Sequence, residues 1–117
     1  MNINELFEVA TDHYQTGHYL QAETIVKEIL MVYPDNAEAL YFLGILYVQL
    51  EKYDLAIQYL YRSLQFSKAN ADVYLALGTA FHQTKQFDEA IQCYQKTLCL
   101  DPINSDALNL LGNVFQD

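Results

Sequence analysis

Basic residues are scarce in this sequence of 117 residues: 6 Lys and Arg stand against 15 Asp and Glu, a formal net charge of −9. Such a chain repels nucleic-acid phosphates and anionic membrane surfaces, which leaves neutral or basic partners. Long apolar runs are missing, and nothing approaches the roughly 20 residues of a membrane-spanning helix. The opening Met1-Asn2-Ile3-Asn4-Glu5 has neither a basic nor an apolar leader region. No secretory signal is read there, and a cytoplasmic location is expected. Cysteine is confined to Cys93 and Cys99. On one helix these two point to different faces, so they do not pair, and their spacing is not that of a zinc or redox site. They are read as reduced thiols. Glycine is sparse and never clustered, which removes the phosphate-binding loops, and neither a nucleophile elbow nor a paired metal motif occurs. His13, His18 and His82 are scattered without ligand spacing, so no metal and no cofactor is expected. The acids lie at exposed or capping positions rather than in an apolar cleft that would tune them for catalysis. This segment is therefore read as non-catalytic.

What the sequence has is apolar content and repetition. Apolar and aromatic residues make up 52%, enough for the core of one domain. A shift of 34 residues aligns the chain on itself without a gap, so that Leu43, Gly44, Gln49, Asp54, Ala56, Ile57, Gln58 and Leu64 fall on Leu77, Gly78, Gln83, Asp88, Ala90, Ile91, Gln92 and Leu98. Four columns extend the register: Ala10, Gly44, Gly78, Gly112; Ala22, Ala56, Ala90; Tyr19, Tyr53, Phe87; and Asn36, Asn70, Asn104. The ten tyrosines fall mostly in core or groove columns, which argues against reading them as cofactor chemistry.

Each unit divides into two helical patterns. In the second unit, Leu40, Leu43, Ile45, Leu46, Tyr47 and Leu50 keep helical spacing, the polar pair Glu51-Lys52 interrupts, and Tyr53, Ala56, Ile57, Leu60, Tyr61 and Leu64 resume it. Pro34 and Pro102 fall just past second helices, where a missing N–H is harmless. Asn36, Asn70 and Asn104 stand where they cap the following first helices, and Glu38, Asp72 and Asp106 follow in the first turns, where a negative charge suits the helix dipole. The spacing predicts helices over 3–16, 19–32, 37–50, 53–66, 71–84, 87–100 and 105–116.

The 34-residue unit resembles the tetratricopeptide repeat, carried by Leu40-x-x-Leu43-Gly44-x-x-Tyr47 with Ala56, Leu60 and Ser63, and by Tyr74-x-x-Leu77-Gly78-x-x-Phe81 with Ala90, Tyr94, Thr97 and Pro102. The first unit is looser, with His13 where the others have Tyr47 and Phe81, and Lys68 stands where the family prefers proline. The resemblance implies an all-α right-handed superhelical solenoid of antiparallel helix pairs, with repeats over about 3–36, 37–70 and 71–104 and a partial one over 105–117. Gly or Ala in the first helix and Ala in the second allow close packing, and the aromatics at 19, 53 and 87 are expected to wedge between units. The partial fourth unit carries Leu108, Leu111, Gly112 and Phe115 in register, with Leu110 and Val114 also apolar, so apolar residues there are expected to face solvent. The chain is thus expected to be the amino-terminal part of a longer array, or to self-associate through its open carboxy-terminal end.

Tetratricopeptide arrays bind peptides in the concave groove of their first helices. Carried over, the groove positions are Asn4, Phe7, Glu8, Thr11 and Tyr14; Glu38, Tyr41, Phe42, Ile45, Val48 and Gln49; Asp72, Leu75, Ala76, Thr79, His82 and Gln83; and Asp106, Asn109, Leu110 and Asn113. The binding candidates among them are Phe7, Thr11, Tyr14, Tyr41, Phe42, Ile45, Val48, Leu75, Thr79, His82, Asn109 and Asn113. Tyr41, Phe42, Ile45, Val48 and Leu75 are expected to form an exposed apolar strip. The basic clamp with which some members grip acidic chaperone tails is missing, since Phe7, Thr11, Ile45, Asp72 and Ala76 stand in its places. The asparagine ladder of the O-linked N-acetylglucosamine transferase repeats is largely missing as well, with Glu8, Phe42, Ala76 and Leu110 in its inner row. The implied function is a protein- or peptide-binding scaffold with a neutral or basic, partly apolar ligand. The alternatives are the amino-terminal recruiting array of a larger glycosyltransferase- or methyltransferase-type enzyme, and a self-assembling scaffold.

Overall fold

The computed structural model describes residues 1–67 and 70–116, so the departure expected at Lys68 lies outside the described residues. Seven helices fill the described chain: α1 (Ile3–Gln15), α2 (Tyr19–Val32), α3 (Ala37–Gln49), α4 (Tyr53–Phe66), α5 (Ala71–Gln83), α6 (Phe87–Leu100) and α7 (Ser105–Gln116). They differ from the sequence reading by at most one residue, at the ends of α1, α3 and α5. The helices pair as α1 with α2, α3 with α4 and α5 with α6, and each pair packs on the next. The odd-numbered first helices α3, α5 and α7 also touch side by side. The result is an all-α solenoid 45 × 25 × 23 Å along its principal axes.

The start of each first helix is set by one side chain. Asn36 Oδ1 accepts from Ala39 N at 2.9 Å, Asn70 Oδ1 from Asp72 N at 3.0 Å, and Asn104 Oδ1 from Ala107 N at 2.9 Å. Asn2 does the same for Glu5 N at 2.9 Å, which extends the asparagine column one unit further back than the sequence reading took it. Each cap satisfies a backbone N–H that has no intrahelical partner.

The turn inside each pair is equally regular. Residues 17, 51 and 85 hold the same position in successive units, and all three adopt positive φ: Gly17 at 81°, Glu51 at 60° and Lys85 at 63°. Around Glu51, its own N–H donates to Val48 O at 3.1 Å and Lys52 N to Tyr47 O at 2.8 Å. Gly17 and Lys85 sit in the same pair of bonds. This double bond closes a helix carboxyl end through one left-handed residue.

Packing within each pair depends on the small-residue column. A Cβ added to Gly44 would stand 2.5 Å from Leu60 Cδ2, and one added to Gly78 would stand 2.5 Å from Tyr94 Cε1. Leu60 and Tyr94 are fully buried, each seated where the facing helix has no side chain. Burying one such side chain contributes about 1.5–3 kcal/mol. Ser63 adds a polar tie, its hydroxyl donating to Ala37 O at 2.8 Å from the far end of α4 to the start of α3. Within α2, Lys27 Nζ lies 3.3 Å from Glu23, one turn earlier, and Glu23 also reaches Tyr47 on α3. Burial raises the Glu23 carboxyl, but hydrogen bonds to Tyr47 and Lys27 outweigh this and hold it below its ordinary value. The aromatics opening the second helices make ring contacts within their own unit, Tyr19 on Tyr14 at 5.5 Å and Phe87 on His82 at 5.9 Å, because the tight turn folds them back on the preceding helix.

At α7 some apolar residues face solvent, as expected, and others are covered. Val114 is buried and Leu110 half-buried against the preceding helices, whereas Leu108 is 53% and Phe115 70% exposed. These two and Gly112 lie on the side where the earlier first helices receive their second helix. Gly112 accordingly has no atom within 4 Å of an added Cβ.

One column thus yields opposite outcomes for one substitution. Gly78→Ala drives a Cβ into a rigid ring and lowers stability by about 1–3 kcal/mol. Gly112→Ala meets open space and raises it by about 0.5–1 kcal/mol through helix propensity. Thermal denaturation of both variants checks the pair; an equal shift in both contradicts the packing described.

Candidate functional site

Because every second helix packs behind its first helix, the first helices are left to form one continuous surface. One apolar hollow of that surface holds about 360 Å³ and is lined by first helices alone. α1 contributes Tyr14; α3 contributes Tyr41, Ile45, Val48 and Gln49; α5 contributes Asp72, Leu75, Ala76 and Thr79; α7 contributes Asp106, Asn109 and Leu110. Helical periodicity puts these on one face: Tyr41, Ile45 and Val48 are four and three apart, as are Asp72, Leu75 and Thr79 with Ala76 between.

Of the twelve binding candidates, seven meet here: Tyr14, Tyr41, Ile45, Val48, Leu75, Thr79 and Asn109. The others stand apart. Phe7 and Thr11 line a separate depression at α1 with Glu8, Asp12 and Gln15. His82 lies at a third, with Gln83, Lys85 and Phe87. Asn113 is exposed outside the hollow, and Phe42 is not in its lining, its ring standing edge-on to Tyr14 at 5.8 Å. The strip expected to be exposed is half-buried throughout, because adjacent first helices pack side by side and cover its flanks. Five further groove positions, Gln49, Asp72, Ala76, Asp106 and Leu110, complete the lining. The signal for them was present in the repeat, since Asp72 and Asp106 share one column and Ala76 and Leu110 another.

The floor is apolar and the margins are polar. At one margin Gln49 Nε2 donates to the Tyr14 hydroxyl at 3.4 Å. At the other stand the carboxylates Asp72 and Asp106, both exposed. Tyr41 lies between. Burial, and then the negative charge of Asp72, push its phenol up to about 12. It therefore stays protonated and offers an O–H at neutral pH. Thr79 spends its proton internally, on Leu75 O at 3.1 Å. Among the described residues no group of three or more His, Cys, Asp or Glu is placed to hold a metal ion, and no helix is long and apolar enough to cross a membrane. Cys93 is buried and its thiol pushed up to about 11, chiefly by that burial, while Cys99 is exposed.

The Tyr41 shift has a pH consequence. A phenol near 10 in the unfolded chain and about 12 in the fold favours folding in its protonated form. That stabilisation is complete below pH 10 and is lost as pH rises toward 12. Tyr41→Phe flattens part of the alkaline decline, measured as urea midpoints at pH 8, 10 and 11. A variant that declines as steeply as the parent contradicts the assignment.

Comparison with known proteins agrees with this architecture. Two family models, both described as tetratricopeptide repeat, match residues 8–72 and 71–104. No curated protein sequence matches the chain significantly. Among solved structures, the second TPR domain of human RPAP3, in complex with the HSP70 peptide SGPTIEEVD, superposes with a TM-score of 0.89 at 19% identity, covering 96% of this chain and 93% of that one. The Arabidopsis OM64 TPR domain gives 0.92 at 20% identity, covering 97% and 93%. The Thermobaculum terrenum O-GlcNAc transferase gives 0.93 at 27% identity over 97% of this chain, which spans 22% of the enzyme. With its 34-residue period, its paired helices and family models spanning most of its length, the chain belongs to the tetratricopeptide repeat family.

Proposed function

We propose that this chain is a non-catalytic scaffold that binds a protein or peptide in the groove of its first helices. The observation that carries the reading is the hollow of about 360 Å³, apolar at its floor and lined by all four first helices. A concave site with an apolar floor and a few polar groups at its margin is what a peptide side chain requires. The structurally similar RPAP3 domain was solved with a peptide of HSP70, which supports this use of the fold. Tyr41, Ile45, Val48 and Leu75 are the anchoring positions, with Gln49 and Asn109 offering amides to a peptide backbone.

A second reading rests on α7. Its bare Gly112 and exposed Leu108 and Phe115 match the positions where Gly44 and Gly78 receive second helices. That face suits one more helix, from a longer array or from another copy. A longer array fits the alternative of a recruiting segment in a larger enzyme, which the transferase likeness supports.

Both readings are open to direct test. Ile45→Asn with Leu75→Asn places amides in the groove floor without changing charge. Capture of a partner from the source cell's lysate is expected to fall at least 10-fold, with helical circular dichroism retained; equal capture contradicts the groove reading. Should copies associate through α7, sedimentation will show concentration-dependent dimers that Phe115→Ser and Leu108→Ser abolish. A monomer at all concentrations excludes self-assembly.

A further inference from the structure

The four first helices contain six acids, Glu5, Glu8, Asp12, Glu38, Asp72 and Asp106, and neither Lys nor Arg. The described cations lie elsewhere: Lys27, Arg62 and Lys96 on second helices, Lys52 and Lys85 in the turns leading into them. A complement of 6 basic residues in 117 is small, but its exclusion from one surface of the solenoid is a matter of placement. Two of the acids, Asp72 and Asp106, line the hollow itself, across an apolar floor from Tyr14 and Gln49. A first-turn acid also complements the dipole of its own helix. That accounts for acids at these positions, but not for four helices without a cation.

Resting on the groove reading above, we infer that the ligand is a basic peptide segment, with apolar side chains on the floor and Lys or Arg side chains toward Asp72 and Asp106. The charge order opposes the acidic peptide found with the RPAP3 domain. Register follows from the repeat. Asp72 and Asp106 are one position in successive units, and packed helices stand about 8–10 Å apart. A polyproline-II peptide brings the same face round every third residue, about 9 Å along its axis. Two cations three residues apart in an extended ligand thus meet the two carboxylates in turn.

The test uses three fluorescein-labelled nine-residue peptides with the same leucines and prolines. They carry Lys, Glu or Ser at two positions three apart. Anisotropy with the full chain at low salt is expected to show the Lys peptide binding at least 10-fold tighter than the Glu peptide. Asp72→Asn with Asp106→Asn removes most of that preference. Asp54→Asn with Asp88→Asn, which neutralises two exposed acids on second helices, leaves it nearly intact. A Glu peptide binding as tightly as the Lys peptide overturns the inference, as does an equal effect of the two double variants, which marks attraction to net charge alone. Equal binding of all three peptides that is lost in Ile45→Asn with Leu75→Asn overturns the charge inference and leaves the groove reading standing. Binding of all three that survives that variant overturns both.

Discussion

The seat of one large side chain against a backbone without a side chain governs the rest of this molecule. Leu60 on Gly44 and Tyr94 on Gly78 set how closely α4 and α6 lie behind α3 and α5. A pair alone leaves its apolar stripe uncovered, so it stacks on its neighbour. Stacking by a constant step then aligns the first helices into one surface. The hollow is a consequence of that seat, since the second helices are held behind the first helices that line it. Where the seat is empty, at Gly112, the surface beside it is open and apolar.

Much of this was legible in the sequence because a repeat states its rules several times. Three asparagines in one column specified caps, and the glycine column specified close approach. Helix ends fell within one residue of their observed places. The left-handed position at 17, 51 and 85 was hidden, because Glu51 and Lys85 do not look like residues that adopt positive φ. Only the turn hydrogen bonds reveal why they do. Which apolar residues of α7 are exposed was hidden for a related reason. Apolar character at Leu108, Leu110, Val114 and Phe115 is uniform in sequence, whereas which of them is covered depends on where the preceding helices pack.

The groove was partly legible. The resemblance named all twelve residues that line the hollow, but the binding candidates drawn from it took in Phe42 and Phe7 and left out Asp72 and Asp106. Phe42 is occupied with Tyr14, a long-range ring contact that no local pattern shows. In sequence the acids are explained by their helix ends at least as well as by a basic partner. Only when the first helices are placed side by side does it appear that they share a rim and that no cation accompanies them. Charge, which the composition gives as a single number, acquires direction through the fold.

The most direct test of this account is a chemical-shift map of the backbone amides, recorded as the Lys-bearing peptide is added to the full chain. The account predicts that the shifted residues fall in 41–49, 72–79 and 106–110, on the concave sides of α3, α5 and α7, with α4 and α6 shifting little. Shifts concentrated on the second helices, or on the outer face of α7 around Leu108 and Phe115, would contradict it.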